Sequence, residues 1–75
     1  MKAKDILTDI CRHFNNTRGT LEKTALNKRV IHLECDHGKA QNIGQYAVRQ
    51  FPKQIHTYFA CHIFRKARLS IYFKR

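Results

Sequence analysis

The chain has 75 residues, 43% of them hydrophobic, and its 15 Lys and Arg outnumber its 5 Asp and Glu, for a formal net charge of +10. This length predicts one domain, residues 1–75, built around a small core. It also disfavours an enzyme of small molecules, because so short a chain rarely encloses a deep substrate cavity.

The excess positive charge is unevenly distributed along the chain. Residues 37–75 contain eight Lys and Arg and no Asp or Glu, whereas all five acids lie in residues 1–36. A surface selected only for solubility mixes both signs, so the acid-free second half predicts a polyanionic partner.

The number of cysteines and the length of the apolar runs indicate the cellular compartment in which the protein is expected. Three cysteines are an odd number, and no secretory signal or bilayer-length apolar run accompanies them. We therefore expect a reducing, intracellular and cytoplasmic setting, with no membrane partner.

The first half of the chain predicts one helix and one firm strand. Apolar residues recur with helical spacing over residues 3–14, and Gly19 suits a left-handed exit from that helix. Residues 20–26 fit either an edge strand or a loop. Residues 29–35 alternate, which directs Ile31, Leu33 and Cys35 inwards and His32 outwards.

The second half predicts a helix followed by a hairpin. Residues 39–51 place small and apolar side chains on one helical face, and Pro52 ends that helix. Residues 56–64 and 68–75 alternate as two strands joined by a tip at residues 65–68. The expected inward side chains are Phe59, Cys61, Ile63, Leu69, Ile71 and Phe73.

Together these elements predict an α+β fold, in the order α-β-α-β-β or α-β-β-α-β-β. A small antiparallel or mixed sheet of three to four strands carries both helices on one face and leaves the other face uncovered. No internal repeat is evident in the sequence. Residues 68–75 are a candidate exposed edge, so the chain is expected to be a monomer or a homodimer.

The uncovered face is the main candidate site. Aromatic side chains that stack bases and cations that neutralise phosphates are typical of single-strand binding. The sequence therefore predicts a protein that binds nucleic acid, RNA or DNA, without a cofactor or a catalytic residue. The candidate contacts are His32, Lys39, His56, Tyr58, His62, Arg65, Lys66, Arg68, Tyr72, Lys74 and Arg75.

Three alternative functions are also compatible with the sequence. The hairpin tip, or the helix start at Gly38 and Lys39, also suits duplex binding. A small inhibitor or adaptor that binds a nucleic-acid-processing protein complex fits the size and charge. A metal-independent ribonuclease would use paired histidines among His32, His56 and His62.

Cysteine and histidine are common zinc ligands, so these residues also suggest a possible metal site. Cys35 and His37 form a C-x-H pair, and the spacing His32-x2-Cys35 together with Cys61-His62 loosely resembles a zinc site, but no C-x2-C knuckle is present. All three cysteines fall on expected core faces, where a free thiol usually packs as a small apolar group. The sequence therefore predicts no metal.

Overall fold

The protein is described by a computed structural model that covers residues 2–14, 17–23, 29–36 and 38–74. The α+β class and the order α-β-β-α-β-β are confirmed. The ambiguous segment at residues 20–26 contributes to a strand, and its residues 24–26 lie outside the described ranges. The elements are α1 (Ala3–His13), β1 (Arg18–Lys23), β2 (Arg29–Asp36), α2 (Ala40–Gln50), β3 (Ile55–Ile63) and β4 (Lys66–Phe73).

The four strands form one antiparallel sheet in the order β1-β2-β4-β3. The last strand, β4, lies inside this sheet, where Ile71 pairs with Ile31 of β2 and with Tyr58 of β3. The expected exposed edge at residues 68–75 is therefore wrong, because β4 has a strand on each side. The edges are β1 and β3.

Both helices pack on one face of the sheet, as the sequence predicts. Ile6 and Ile10 of α1 and Ile43 of α2 are fully buried against the central strands. The strand residues that complete this core are Ile31, Leu33, Cys35, Ala67, Leu69 and Ile71. Neither helix covers the opposite face.

The two halves of the chain repeat the same α-β-β unit. The elements begin at residues 3, 18 and 29 in the first half and at residues 40, 55 and 66 in the second, a constant offset of 37. Exchanging the halves leaves the sheet order unchanged, which indicates a pseudo-two-fold axis between β2 and β4. The residues of the two helices and their C-caps that are identical at this offset are Ala3 and Ala40, Ile6 and Ile43, Arg12 and Arg49, and Phe14 and Phe51.

The orientation of β3 differs from the expectation. The register shifts between Ile55 and Thr57, so His56 is an extra residue that reverses the alternation beyond it. Tyr58 is half-buried and packs on the core, whereas Phe59 is 64% exposed and Cys61 is exposed. The outward assignment of Tyr58 and the inward assignments of Phe59, Cys61 and Ile63 are therefore wrong.

A glycine in α2 explains why Tyr58 turns inwards. A side-chain carbon at Gly44 would overlap the Tyr58 ring, so the missing side chain provides the space that this ring occupies. The ring thus fills the gap between α2 and β3. This contact determines which alternate side chains in the rest of β3 face inwards.

Two turns also differ from the expectation. Gly19 does not end a helix in a left-handed conformation but lies in β1 opposite Leu33, where a side chain would overlap Leu33 and Leu7. The β3–β4 hairpin turns through Phe64 and Arg65 alone, so Lys66 and Arg68 belong to β4 and not to the tip.

Candidate nucleic-acid interface

Cross-strand pairing arranges the uncovered face in rows. One row runs from Phe59 on β3 through Ser70 and His32 to Thr20 on β1, and the adjacent row begins with Thr57 and Tyr72. A third row contains Cys61, Arg68, Glu34 and Arg18, and a fourth contains Ile63, Lys66 and Asp36. Side chains in each row point to the same side, since directly paired residues share a face.

Charge divides this face into two halves. The acids Glu22, Glu34 and Asp36 all lie on β1 and β2, while β3 and β4 carry no acid. The Lys66 ammonium lies 3.2 Å from the Asp36 carboxylate, which links the two halves through an exposed ion pair. The excess positive charge therefore lies on the β3–β4 half.

The β3–β4 half also carries the exposed rings. Phe59 is 64% exposed and Tyr72 39% exposed, and both lie on the uncovered face. The Tyr72 assignment agrees with the sequence expectation. The outward position of Phe59 differs from the sequence expectation. The contact that determines it is the Tyr58 ring packed against Gly44, which the sequence alternation does not reveal.

Phe64 at the hairpin turn is 97% exposed and has a φ of 55°. Arg65 does not share the positive φ, a pattern typical of a two-residue turn that favours glycine at its first position. A left-handed φ costs a residue with a side chain about 1–2 kcal/mol. Such an outlier is often tied to a functional role.

His32 lies on the uncovered face as expected, but its ring is already engaged. Its Nδ1 lies 3.1 Å from the Ser70 hydroxyl, and its Nε2 lies 3.4 Å from a Glu22 carboxylate oxygen. These groups line an open cleft of about 470 Å³ that Arg18 and Arg68 also border. The contacts fix the orientation of the imidazole at the boundary between the two halves.

The three histidines of the ribonuclease hypothesis do not share a face. His62 pairs with Ala67, whose side chain is buried on the helix-covered side, so His62 and His32 lie on opposite faces. His56 is exposed at the bulge that begins β3. The expected outward set of His56, Tyr58 and His62 is therefore not assembled, because the bulge reverses the strand after His56.

The remaining candidate contacts lie outside the uncovered face or at its margin. The Lys39 backbone N–H donates to the Asp36 carbonyl at 2.9 Å, so this group at the α2 start is used within the protein. The Lys74 ammonium donates to the Pro52 carbonyl at 2.9 Å. Arg65 is exposed at the turn, and Arg75 lies outside the described residues.

The cysteines have different surroundings. Cys35 is buried with its thiol 3.9 Å from the Ala67 carbonyl, and burial, reinforced by the Asp36 carboxylate, raises the pKa of Cys35. Burial likewise raises the pKa of the half-buried Cys11. Cys61 is exposed on the uncovered face, so its expected core position is wrong.

The described residues also bear on metal binding and on membrane insertion. Within the described ranges, no group of three or more His, Cys, Asp or Glu is placed to hold a metal ion, and His37 lies outside them. Over the same ranges, neither helix has the length and apolarity needed to cross a bilayer.

Comparison of the chain with protein-family models, with curated proteins and with solved structures found no match.

Proposed function

We propose that the protein binds single-stranded nucleic acid, RNA or DNA, on the β3–β4 half of the uncovered sheet face. The observation that carries this proposal is the pair of exposed rings, Phe59 and Tyr72, on a sheet face that neither helix covers and on strands without acids.

The two rings are placed to act together. Phe59 pairs with Ser70, two residues from Tyr72, so the rings are diagonal neighbours, with Cα atoms about 7–8 Å apart in a typical sheet. Each ring offers a π-face to a base, and such stacking contributes about 1–3 kcal/mol per base without demanding a sequence. Two successive bases on these rings would form the centre of the interface.

The cations around the rings would neutralise the phosphates. Arg68 lies one row from Phe59, Lys66 lies in the following row, and Arg65 projects at the turn. The face offers a polyanion no carboxylate on β3 or β4, whereas Glu22 and Glu34 would repel a strand that extended onto β1 and β2. We therefore expect the nucleic acid to follow β3 and β4.

The turn residue Phe64 extends this surface. A phenylalanine at 97% exposure on a left-handed backbone costs stability and contributes no packing to the described core. That combination supports a role in contacting a ligand, here as a third apolar ring beside Arg65. The three free cysteines suit a reducing, intracellular compartment.

The first test measures affinity for labelled single-stranded and duplex RNA and DNA at two salt concentrations. Phe59→Ala should weaken single-strand binding about 5- to 150-fold, the equivalent of one lost stack. Leu21→Ala is the matched control, because Leu21 is an exposed apolar residue that pairs with the inward-facing Ile31. Equal affinity of the two variants would contradict the proposal.

The second test locates the charge. Replacing Arg65, Lys66 and Arg68 with Gln should reduce the slope of log affinity against log salt by up to about 2, at roughly 0.7 per phosphate contact. The matched control replaces Lys2, Lys4 and Arg12, which lie at or on α1. Similar losses in both sets would mean that the positive charge acts only as a diffuse field.

A second candidate function is an inhibitor or adaptor that binds a protein of a nucleic-acid-processing complex. Ile63, 51% exposed beside Phe64, supports it, since a cluster of exposed apolar side chains is typical of a protein-binding site. The nucleic-acid panel separates the two functions. No binding to any oligonucleotide at low salt would favour the protein partner.

A further inference from the structure

The two edges of the sheet occupy equivalent places in the repeated α-β-β units but differ in composition. The edge strand β1 has six residues, of which Arg18, Glu22 and Lys23 are charged. The edge strand β3 has nine residues and contains no Lys, Arg, Asp or Glu. Proteins commonly protect sheet edges with short strands and charged side chains, so β1 is protected and β3 is not.

The uncovered side of β3 is also apolar. Phe59, Cys61 and Ile63 occupy alternate positions and are all exposed, and among the described strands β3 pairs with β4 alone. The bulge at His56 affects only the beginning of the strand. The segment from Phe59 to Ile63 is thus a regular edge without Lys, Arg, Asp or Glu, suited to pairing with another strand.

We propose that this edge pairs with the same strand of a second copy, antiparallel and centred on Cys61. An antiparallel pair of identical strands has two-fold symmetry, so each copy supplies the same surface and the contact closes at two chains. In this register Cys61 faces the partner's Cys61, and Phe59 faces the partner's Ile63. All the exposed apolar side chains of the segment then find apolar neighbours.

The hairpin geometry agrees with this register. The two-residue turn makes Ile63 and Lys66 a hydrogen-bonded pair, and such pairs alternate along antiparallel strands. Cys61 therefore bonds to β4, while Ala60 directs its backbone N–H and C=O to the outer edge. On that edge Cys61 becomes a non-hydrogen-bonded position, where side chains of opposite residues lie closest.

Pairing would join two sheets into one of eight strands. The side chains of Phe59 and Tyr72 would remain on the uncovered face, and the two copies would place two such sets on one continuous surface. Because Arg65, Lys66 and Arg68 lie close to the joined edge in both copies, added salt should strengthen dimerisation. Salt should weaken nucleic-acid binding, so the two properties are measured separately.

The first experiment is sedimentation equilibrium without nucleic acid, in moderate salt and a reducing buffer. The small contact predicts a weak dimer. For Cys61→Ser, the average mass should rise with protein concentration from one chain towards two. Cys61→Lys places two positive charges opposite each other at the symmetry axis. Their repulsion should keep this variant a monomer. The matched control Thr20→Lys places the same charge at an exposed position of the other edge strand, β1, and should dimerise like Cys61→Ser.

The second experiment tests the register through thiol–disulfide exchange. With oxidised glutathione, two Cys61 thiols should form one intermolecular disulfide and release two molecules of reduced glutathione. When the thiol is moved with Cys61→Ser and Phe59→Cys, the two sulfur-bearing residues would lie about 14 Å apart. That exceeds the roughly 7 Å between Cα atoms that a disulfide spans, so cross-linking should be about tenfold slower.

Three outcomes would overturn the proposal. Cys61→Ser could remain a monomer at every concentration and salt level, or its mass could rise beyond two chains, which indicates an open contact. Equal cross-linking with the thiol at 59 or 61 would reject the register. None of these results depends on nucleic-acid binding, so failure here would leave the proposed function standing.

Discussion

Tyr58 and Phe59 are neighbours on β3 whose side chains lie on opposite faces, and this arrangement predicts opposite effects of truncation. The Tyr58 ring is half-buried against Gly44 and the core, whereas the Phe59 ring is 64% exposed. Tyr58→Ala should cost about 2–3 kcal/mol, somewhat less than the roughly 3–5 kcal/mol of a fully buried aromatic residue. Phe59→Ala should cost less than about 0.5 kcal/mol.

These free energies correspond to separable changes in the thermal midpoint. A domain of this size loses about 4–8 °C per kcal/mol, so Tyr58→Ala should melt roughly 10–20 °C lower and Phe59→Ala less than about 4 °C lower. The total stability expected for 75 residues is only about 4–11 kcal/mol, so Tyr58→Ala should remain folded near room temperature.

Single-strand affinity should change in the opposite order. Phe59→Ala removes a stacking surface and should lose about 1–3 kcal/mol of binding, while folded Tyr58→Ala should bind nearly as the wild type does. Thermal denaturation and fluorescence anisotropy on both variants give the comparison. Early melting of Phe59→Ala with a stable Tyr58→Ala would refute the β3 orientation. Normal binding by a stable Phe59→Ala would refute the site.

Three further predictions concern the turn, the thiols and metal. Phe64→Gly should raise the free energy of unfolding by about 1 kcal/mol, because glycine accepts the positive φ, yet weaken single-strand binding; an unchanged or lower thermal midpoint would contradict the strain. At neutral pH a thiol reagent should modify Cys61 before Cys35, since burial hinders access and its raised pKa lowers the thiolate fraction; mass spectrometry after timed labelling identifies the order. Dialysis against a strong chelator should leave the thermal midpoint unchanged, and a loss of structure restored by zinc would show that a metal site exists.

The local elements and the positive second half follow directly from the sequence. Helical spacing identifies α1 and α2, because a helix with one buried face must repeat its apolar residues every three to four positions. Alternation orients β2 and β4, because the alternate positions from Ile31 to Cys35 and from Ala67 to Phe73 are all apolar, whereas the outward sides include His32 and Arg68. For such segments the pattern permits one orientation, which is why the expected outward position of Tyr72 is confirmed.

The orientation of β3, the strand order and the repeat were decided by tertiary structure. In β3 either set of alternate side chains could face the core, because Tyr58 and Ala60 on one side and Phe59 and Cys61 on the other can all be buried. The choice depends on the space above Gly44 and on the extra residue at His56, which are contacts between α2 and a bulged strand. Apart from the β3–β4 hairpin, the linear pattern does not determine which strands become neighbours, so it could not show that β4 is internal and β3 is an edge. The stacking residue Phe59 and the unprotected edge both follow from that long-range packing.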